Sequence, residues 1–425
     1  MSSLLPINWV IPIAVTAGGT LVSKLLEDWH IFGDKDPTPY KTRVRIWAGM
    51  DYNRANARHS SLGGAKPNVR LYDELGRSLG TTIFIPPEGA IPEGNFRDYE
   101  IEGYDLENAK PTDAWVHSNA RASYIAISAN GDDALCISAI AITYPDGGSD
   151  LILGDIPSKL CGWRSYVSAT ELPIPGQRSA TYRPQCFWID GNDSFGDRKK
   201  PWAKGSNMPY TVAFHIRDFR GNNDTVNALQ ENKDLFCKSS GRMEAWPEKQ
   251  NGKLHVRINV FKPPLTYDGD QPTYLDPKYV TNDNVKQWAL TDTTLARRRT
   301  ATPVLDRRET DASTADEESE PNEMHQLWWA LSTSTELDMS AEYVCSQPNM
   351  AGPHYANLHE GKFCKLDDHT VWDLCGGDIK TNCFDMDSQV LWGESSAMSN
   401  ATFTTQALNV TAANPIMSLQ YRIDM

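Results

Sequence analysis

Apolar and polar side chains alternate with a period of two along much of the first 263 positions. Arg43–Trp47 and Val69–Tyr72 place every second side chain on one face, the pattern of a half-buried strand. Ser123–Ser128 and Leu135–Thr143 follow, with the turn residues Asn130–Asp133 between them. Pro145–Gly148 turns the chain into Leu151–Leu153, and Cys186–Ile189, Thr211–Ile216 and Leu254–Phe261 continue the series. Short strands at this spacing, with almost no helical periodicity between them, predict a mainly β fold. The architecture expected over residues 39–263 is a β-sandwich or jelly-roll-like domain.

From residue 264 the alternation stops. Asp, Thr, Asn and Pro dominate up to Asp283, and residues 295–322 carry Arg297–Arg299, Arg307–Arg308 and the acidic run Asp316–Glu320. Blocks of one charge sign with few apolar residues cannot offset the entropy of ordering, so residues 264–322 read as a flexible linker. The arginine clusters also suit a dibasic-specific protease of the secretory pathway. Met324–Leu331 predicts a short amphipathic helix at the head of a cysteine-containing C-terminal module, residues 323–425. Cys345, Cys364, Cys375 and Cys383 lie close together there, the spacing of a small disulfide-stapled unit.

Composition adds a location. With 41 basic and 55 acidic residues the 425-residue chain has a net charge of −14. Such a surface repels phosphate backbones and anionic lipid, so neither nucleic acid nor a charged membrane is an expected partner. Residues 1–23 contain no charged side chain. They predict a signal peptide cut before Gly18, an apolar anchor if residues 4–22 are retained, or a buried strand. No other segment is long and apolar enough to span a bilayer. The eight cysteines are even in number and none forms a C-x-x-C pair, so all are expected in disulfides. Cys136, Cys161, Cys186 and Cys237 precede the linker, and pairing within each half leaves the fewest connectivities. Cys136 also suits a buried thiol, because it sits inside an apolar strand. Sequons at Asn192, Asn223, Asn400 and Asn409 point the same way, to a glycosylated protein outside the cell or at its surface.

Three segments carry a resemblance: Asp133–Gly147; Cys161–Trp163 with Cys186–Asp193; and Glu360–Lys365 with Cys375 and Thr381–Met386. Together they resemble a family of uncharacterised secreted proteins of filamentous fungi, in which a β-rich region precedes a cysteine-containing tail. The resemblance covers residues 120–220 and 340–425 and implies a fold and a location, with no activity to transfer. The amino terminus departs from a typical fungal secretory leader. At the level of strand order, Val44 to Ala141 is similar to PLAT and other lipid- or sugar-binding sandwiches.

Candidate chemistry is spread thinly. No nucleophile elbow, P-loop or dinucleotide glycine pattern is present. Asp190–Asp197 offers closely spaced oxygen ligands that would suit calcium, but lacks the EF-hand glycine and bidentate glutamate, and turn formation explains the same residues. Asp146, Asp150 and Asp155 are further acids for that edge. No cofactor or metal is expected. His354, His359, Glu360, Asp367, Asp368, His369 and Asp373 read as solvated loop residues. For a carbohydrate-active hydrolase or lyase the nominal acid pair is Asp146 and Asp190. Among 13 Trp, Trp163 and Trp202 are the expected sugar-stacking platforms, with Tyr210 beside them, while Trp188 belongs in the core. The leading expectation is a non-catalytic extracellular protein that binds cell-wall carbohydrate or another protein surface, or joins an extracellular assembly. The alternatives are the hydrolase or lyase, and a secreted effector or toxin processed at the arginine pairs.

Overall fold

The computed structural model describes residues 39–51, 62–82, 89–105, 116–131, 133–173, 181–191, 208–219, 231–246, 258–268, 272–281, 285–288 and 329–393. Two antiparallel sheets pack face to face. The first contains β1 (Lys41–Ala48), β4 (Phe96–Glu102), β6 (Leu135–Thr143), β7 (Ser149–Leu153), β8 (Ser165–Tyr166) and β9 (Cys186–Ile189). The second contains β2 (Asn68–Tyr72), β3 (Ser78–Thr81), β5 (Tyr124–Ser128), β10 (Thr211–His215) and β11 (Met243–Trp246). Their orders are β8-β9-β6-β1-β4 and β11-β10-β5-β2-β3, with β7 also pairing β6. The expected sandwich is the observed fold.

The central strand explains the layering. β6 is buried along eight of its nine residues, because β1 flanks it from Ile137 to Thr143 while β9 and β7 share its other side. Between the sheets, Val44, Ile46, Ile140, Ile142 and Phe187 of the first meet Val69, Leu71, Ile125, Ile127, Val212 and Phe214 of the second. Each such side chain contributes roughly 1.5–3 kcal/mol on leaving water. The β6–β7 turn closes at Gly147, whose φ of 85° a larger residue would resist.

Two sequence expectations about domain limits need correction. The linker reading of 264–322 fails at its start. β12 (Ile258–Phe261) pairs with β13 (Val285–Trp288), and Phe261, Leu265, Tyr274 and Val280 form an apolar cluster beside the short helix Pro277–Val280. The polar composition there hid three buried anchors, Leu265, Tyr274 and Val280. Residues 289–328, with the arginine clusters, lie outside the described residues.

The C-terminal module also begins differently. Trp329–Ser332, expected at the end of a helix, is a strand (β14) in parallel register with β15 (His354–Asn357), which pairs in turn with β16 (Lys362–Lys365). Burial of Trp329, Ala330 and Ser332 on both faces favours the strand. Residues up to Trp372 belong to one compact unit with the sandwich. Tyr166, Trp188, Cys136 and Cys186 share a second core with Met339, Val344, Cys345, Tyr355 and Cys364. Trp188 Nε1 donates to the Ala351 carbonyl at 2.7 Å and the Tyr166 hydroxyl donates to that of Pro353 at 2.8 Å. Trp188 is core, as its apolar strand implied. The remaining unit starts at Asp373 and holds the hairpin Cys383–Asp385 with Val390–Trp392.

All eight cysteines are paired: Cys136–Cys186, Cys161–Cys237, Cys345–Cys364 and Cys375–Cys383. Each bond stays within its half of the chain, and Cys136 is bonded rather than a free thiol. Closing loops of 50 and 76 residues, the first two are worth roughly 4 kcal/mol each in the chain-entropy account. Four disulfides are what a chain folded in an oxidising compartment carries. Among the described residues no helix is long and apolar enough to cross a membrane.

Candidate functional site on the outer face of the second sheet

Because side chains alternate along a strand, the residues between those facing the core must share the other face. Register assembles them into three rows running across β2, β5, β10 and β11. The first is Asn68, Ser128, Thr211 and Trp246; the second is Arg70, Ala126, Ala213 and Glu244. Tyr72, Tyr124 and His215 make the third, closed by Arg242, whose carbonyl accepts from the His215 amide at 2.7 Å. One sheet face thus gathers two arginines, a histidine, a glutamate, three hydroxyl or amide side chains and three aromatic rings.

β12 divides this face. Its Ile258 and Val260 join Tyr72, Tyr124, Ala126 and Ala213 in an apolar cluster, and the two alanines leave room for them. Asn259 of the same strand donates to Glu244, and the Phe261 amide donates to the Tyr124 hydroxyl at 3.1 Å.

On one side of the divide lies a closed ionic network. His215, wholly buried, sets Nδ1 2.9 Å from Asp218 Oδ2 and Nε2 3.2 Å from Glu74 Oε1. Glu74 reaches it from the β2–β3 turn, which Gly76 makes possible at φ 81°. Asp218 also accepts from the Tyr267 hydroxyl at 2.5 Å and pairs with Arg242 Nε at 3.1 Å. Arg242 donates to the carbonyls of Leu235 and Tyr274. Burial alone would keep His215 neutral, but Asp218 and then Glu74 outweigh it and hold the imidazole protonated, its pKa raised to about 9. Burial likewise opposes ionisation of Asp218, yet Arg242 and His215 keep its pKa below the ordinary range. For Glu74 burial is outweighed by the His215 hydrogen bond, again lowering the pKa. Tyr267 is pushed the other way, by burial and by Asp218. Two cations and two carboxylates therefore balance within one cluster.

Across the divide the accounting differs. Arg70 is only 7% exposed, and its Nε is shut off from water without a hydrogen-bond partner. Beside it the Thr211 hydroxyl donates to Ser128 Oγ at 2.9 Å. Tyr210, half-buried, follows at the sheet end, its amide donating to the Trp246 carbonyl at 2.7 Å. Burial raises the Tyr210 pKa, and the field of Arg70 opposes that rise. Glu244 has its pKa raised to about 7 by burial, against the pull of Asn259.

The residues singled out from the sequence fare unequally. Tyr210 adjoins Trp246 only through its backbone amide, and its side chain packs against the core between the sheets. Trp163 does not serve as a platform: it packs against the core between Phe187 and Phe214, with ring centroids 6.1 and 5.9 Å away. Trp202 and the sequons Asn192, Asn223, Asn400 and Asn409 lie outside the described residues, as do residues 1–38. Asp146 and Asp190 do not form a pair. They sit beyond opposite ends of β6, whose nine residues alone span about 26 Å. Asp146 is exposed and bound to Arg121 at 2.5 Å, which with the Gly148 amide lowers its pKa, while Asp190 is buried. Asp150 accepts from Tyr144 at 2.6 Å and Asp155 from Tyr182 at 2.9 Å, so the edge acids are spent on separate partners. The calcium loop is described only at Asp190 and Gly191.

Near the C-terminus, His354 is buried rather than solvated. Its Nδ1 accepts from the Leu366 amide and burial lowers its pKa to about 4. Glu360 accepts from the amides of Ala341 and Glu342 at a helix start. Among the described residues no group of three or more His, Cys, Asp and Glu is placed to hold a metal ion.

Sequence reasoning missed Arg70, Glu74, His215, Asp218, Arg242 and Tyr267. The signal available was a charged residue inside each of two strongly alternating segments, Val69–Tyr72 and Thr211–Ile216. Compared with known proteins, the chain matches no protein-family model and no curated protein.

Proposed function

We propose that the protein is a non-catalytic extracellular carbohydrate-binding protein, and that the outer face of the second sheet receives the sugar. One observation carries the reading: Asn68, Ser128 and Thr211 form a row of hydrogen-bonding groups that ends at half-buried Trp246, with Ser128 and Thr211 buried and bonded to each other. Sugar rings are recognised by this combination, aromatic faces against C–H surfaces and amide or hydroxyl groups against ring hydroxyls. Disulfide bonding throughout supports the extracellular setting.

The test is a glycan array followed by calorimetric titration of the best ligand. The reading expects saturable binding that Trp246→Ala weakens about tenfold or more while the far-ultraviolet spectrum and melting point stay in place. An array on which the disulfide-intact protein retains no saccharide overturns it.

A further inference from the structure

We propose that the ligand of this face carries a carboxylate, and that the Arg70 guanidinium receives it, making the recognised class an acidic saccharide of the hexuronate type. The proposal deepens the binding reading above and rests on it. A buried guanidinium without a counter-charge is costly, so folded proteins pair such groups or use them. Elsewhere this molecule pairs two of them with acids, while Lys66, also 7% exposed, lies over the Tyr99 ring. Arg242, as deeply buried, has Asp218 and two carbonyls. Lys159 lies 3.2 Å from Asp155 and 3.1 Å from Asp338. Arg70 has no hydrogen bond at Nε, and no carboxylate among the described residues lies within ion-pair reach of it. The acid of its own row, Glu244, is three strands away across two alanines, about 14 Å at the usual strand spacing.

The surroundings suit an incoming acceptor. Thr211 donates to Ser128, which leaves the Ser128 hydroxyl proton directed to a further acceptor, and Asn68 stands opposite Ser128 with its own amide donors. A guanidinium fork takes a planar carboxylate through two parallel N–H···O bonds, a geometry that a lysine ammonium or a hydroxyl cannot reproduce. Half-buried Asn68 and Trp246 stand at the two ends of the neighbouring row of the same face, Asn68 on the strand of Arg70 and Trp246 three strands away.

Calorimetric titration of the full disulfide-intact chain decides the matter with three probes. These are a trimeric hexuronide, its methyl ester, and the neutral hexose trimer of the same linkage. The expected result is that the free acid binds about ten- to a hundredfold more tightly than either uncharged form. Arg70→Met should erase that preference, and Arg70→Lys should keep only part of it. Equal affinity for all three probes, with Arg70→Met silent, overturns the carboxylate assignment and leaves sugar binding standing. In a further titration, tighter binding of an O-sulfated hexose trimer of the same linkage than of the uronide overturns it in favour of a tetrahedral anion. Failure of every probe, with Trp246→Ala also without effect, removes both readings. The acid-to-ester comparison uses the unaltered protein, so the result holds even where Arg70→Met misfolds.

Discussion

At the His215 end of the outer face, four charged groups and a tyrosine hydroxyl are buried together and answer one another: His215 lies between Asp218 and Glu74, and Arg242 and Tyr267 complete Asp218. Two residues along β2 from the same row, Arg70 is buried almost as completely with no such answer. The sheet, solvent access and residue class are shared, so the difference lies in the covering element. The segment after β12 delivers Tyr267 and the Tyr274 carbonyl to one end and, among the described residues, no acid to the other. A closed network of this kind fixes the cover onto the sheet, because each member is costly to expose alone. An open cation is tolerated for what it does with something outside the chain.

The comparison breaks most visibly at Asp218. Asp218→Asn removes the carboxylate that, among the described residues, touches both His215 and Arg242, leaving a buried guanidinium without its ion pair. The expected loss is about 3–5 kcal/mol of unfolding free energy, read from urea denaturation with the disulfides intact. An effect below about 1 kcal/mol would mean the network does not hold the cover.

The second prediction is a pH dependence. The folded His215 pKa is raised to about 9, so its stabilising contribution is complete below the unfolded value near 6.5. It is lost as pH rises through 9, because the folded state must then release the proton it favours. The melting temperature should fall between about pH 6.5 and 9, by an amount corresponding to roughly 3 kcal/mol. In His215→Gln that slope should be absent. Asp218 and Glu74, both lowered, act with the opposite sign: their contribution is present above about pH 4 and disappears as pH falls.

Much of the sandwich was legible because alternation reports a face. Leu135–Thr143 and Cys186–Ile189 were delimited to the residue, since both are continuous apolar runs bounded by turn chemistry. The same alternation put Arg70 and His215 on the outer face, but it cannot say what covers that face. The cover comes from residues 258–280, a stretch whose Asp, Thr and Pro content reads as linker. Its buried anchors, Leu265, Tyr274 and Val280, are too few and too widely spaced to show a period. The C-terminal boundary failed for a related reason. Tyr166 and Trp188 look like ordinary strand residues, and nothing local marks them as the surface onto which Met339, Val344 and Tyr355 pack. Asp146 and Asp190 were chosen for turn-like settings at either end of one long strand, and strand length alone keeps them apart.

Removing the cation itself sharpens the contrast. Arg242→Met takes one cation from Asp218 and should destabilise, whereas Arg70→Met deletes a charge that no carboxylate among the described residues answers. Measured without ligand, Arg70→Met should leave the urea midpoint unchanged or raise stability by about 1 kcal/mol. A loss comparable to that of Asp218→Asn would show that Arg70 belongs to the fold and not to a ligand.

Glu244 offers the smallest and most selective effect. Its folded pKa is raised to about 7, so the native state favours the protonated carboxyl. Stability from this group is therefore full below the unfolded value near pH 4.3 and declines as pH rises through 7, the reverse of Asp218. The carboxyl is only partly buried and solvent screening is substantial, so the change should stay below about 1 kcal/mol. Glu244→Gln keeps an acceptor for Asn259 while removing the titration, and should flatten the melting profile between pH 5 and 7 and leave the variant the more stable above pH 7.5. If the native and Glu244→Gln profiles coincide throughout, the carboxyl is hydrated. The two ends of the face would then differ only at Arg70.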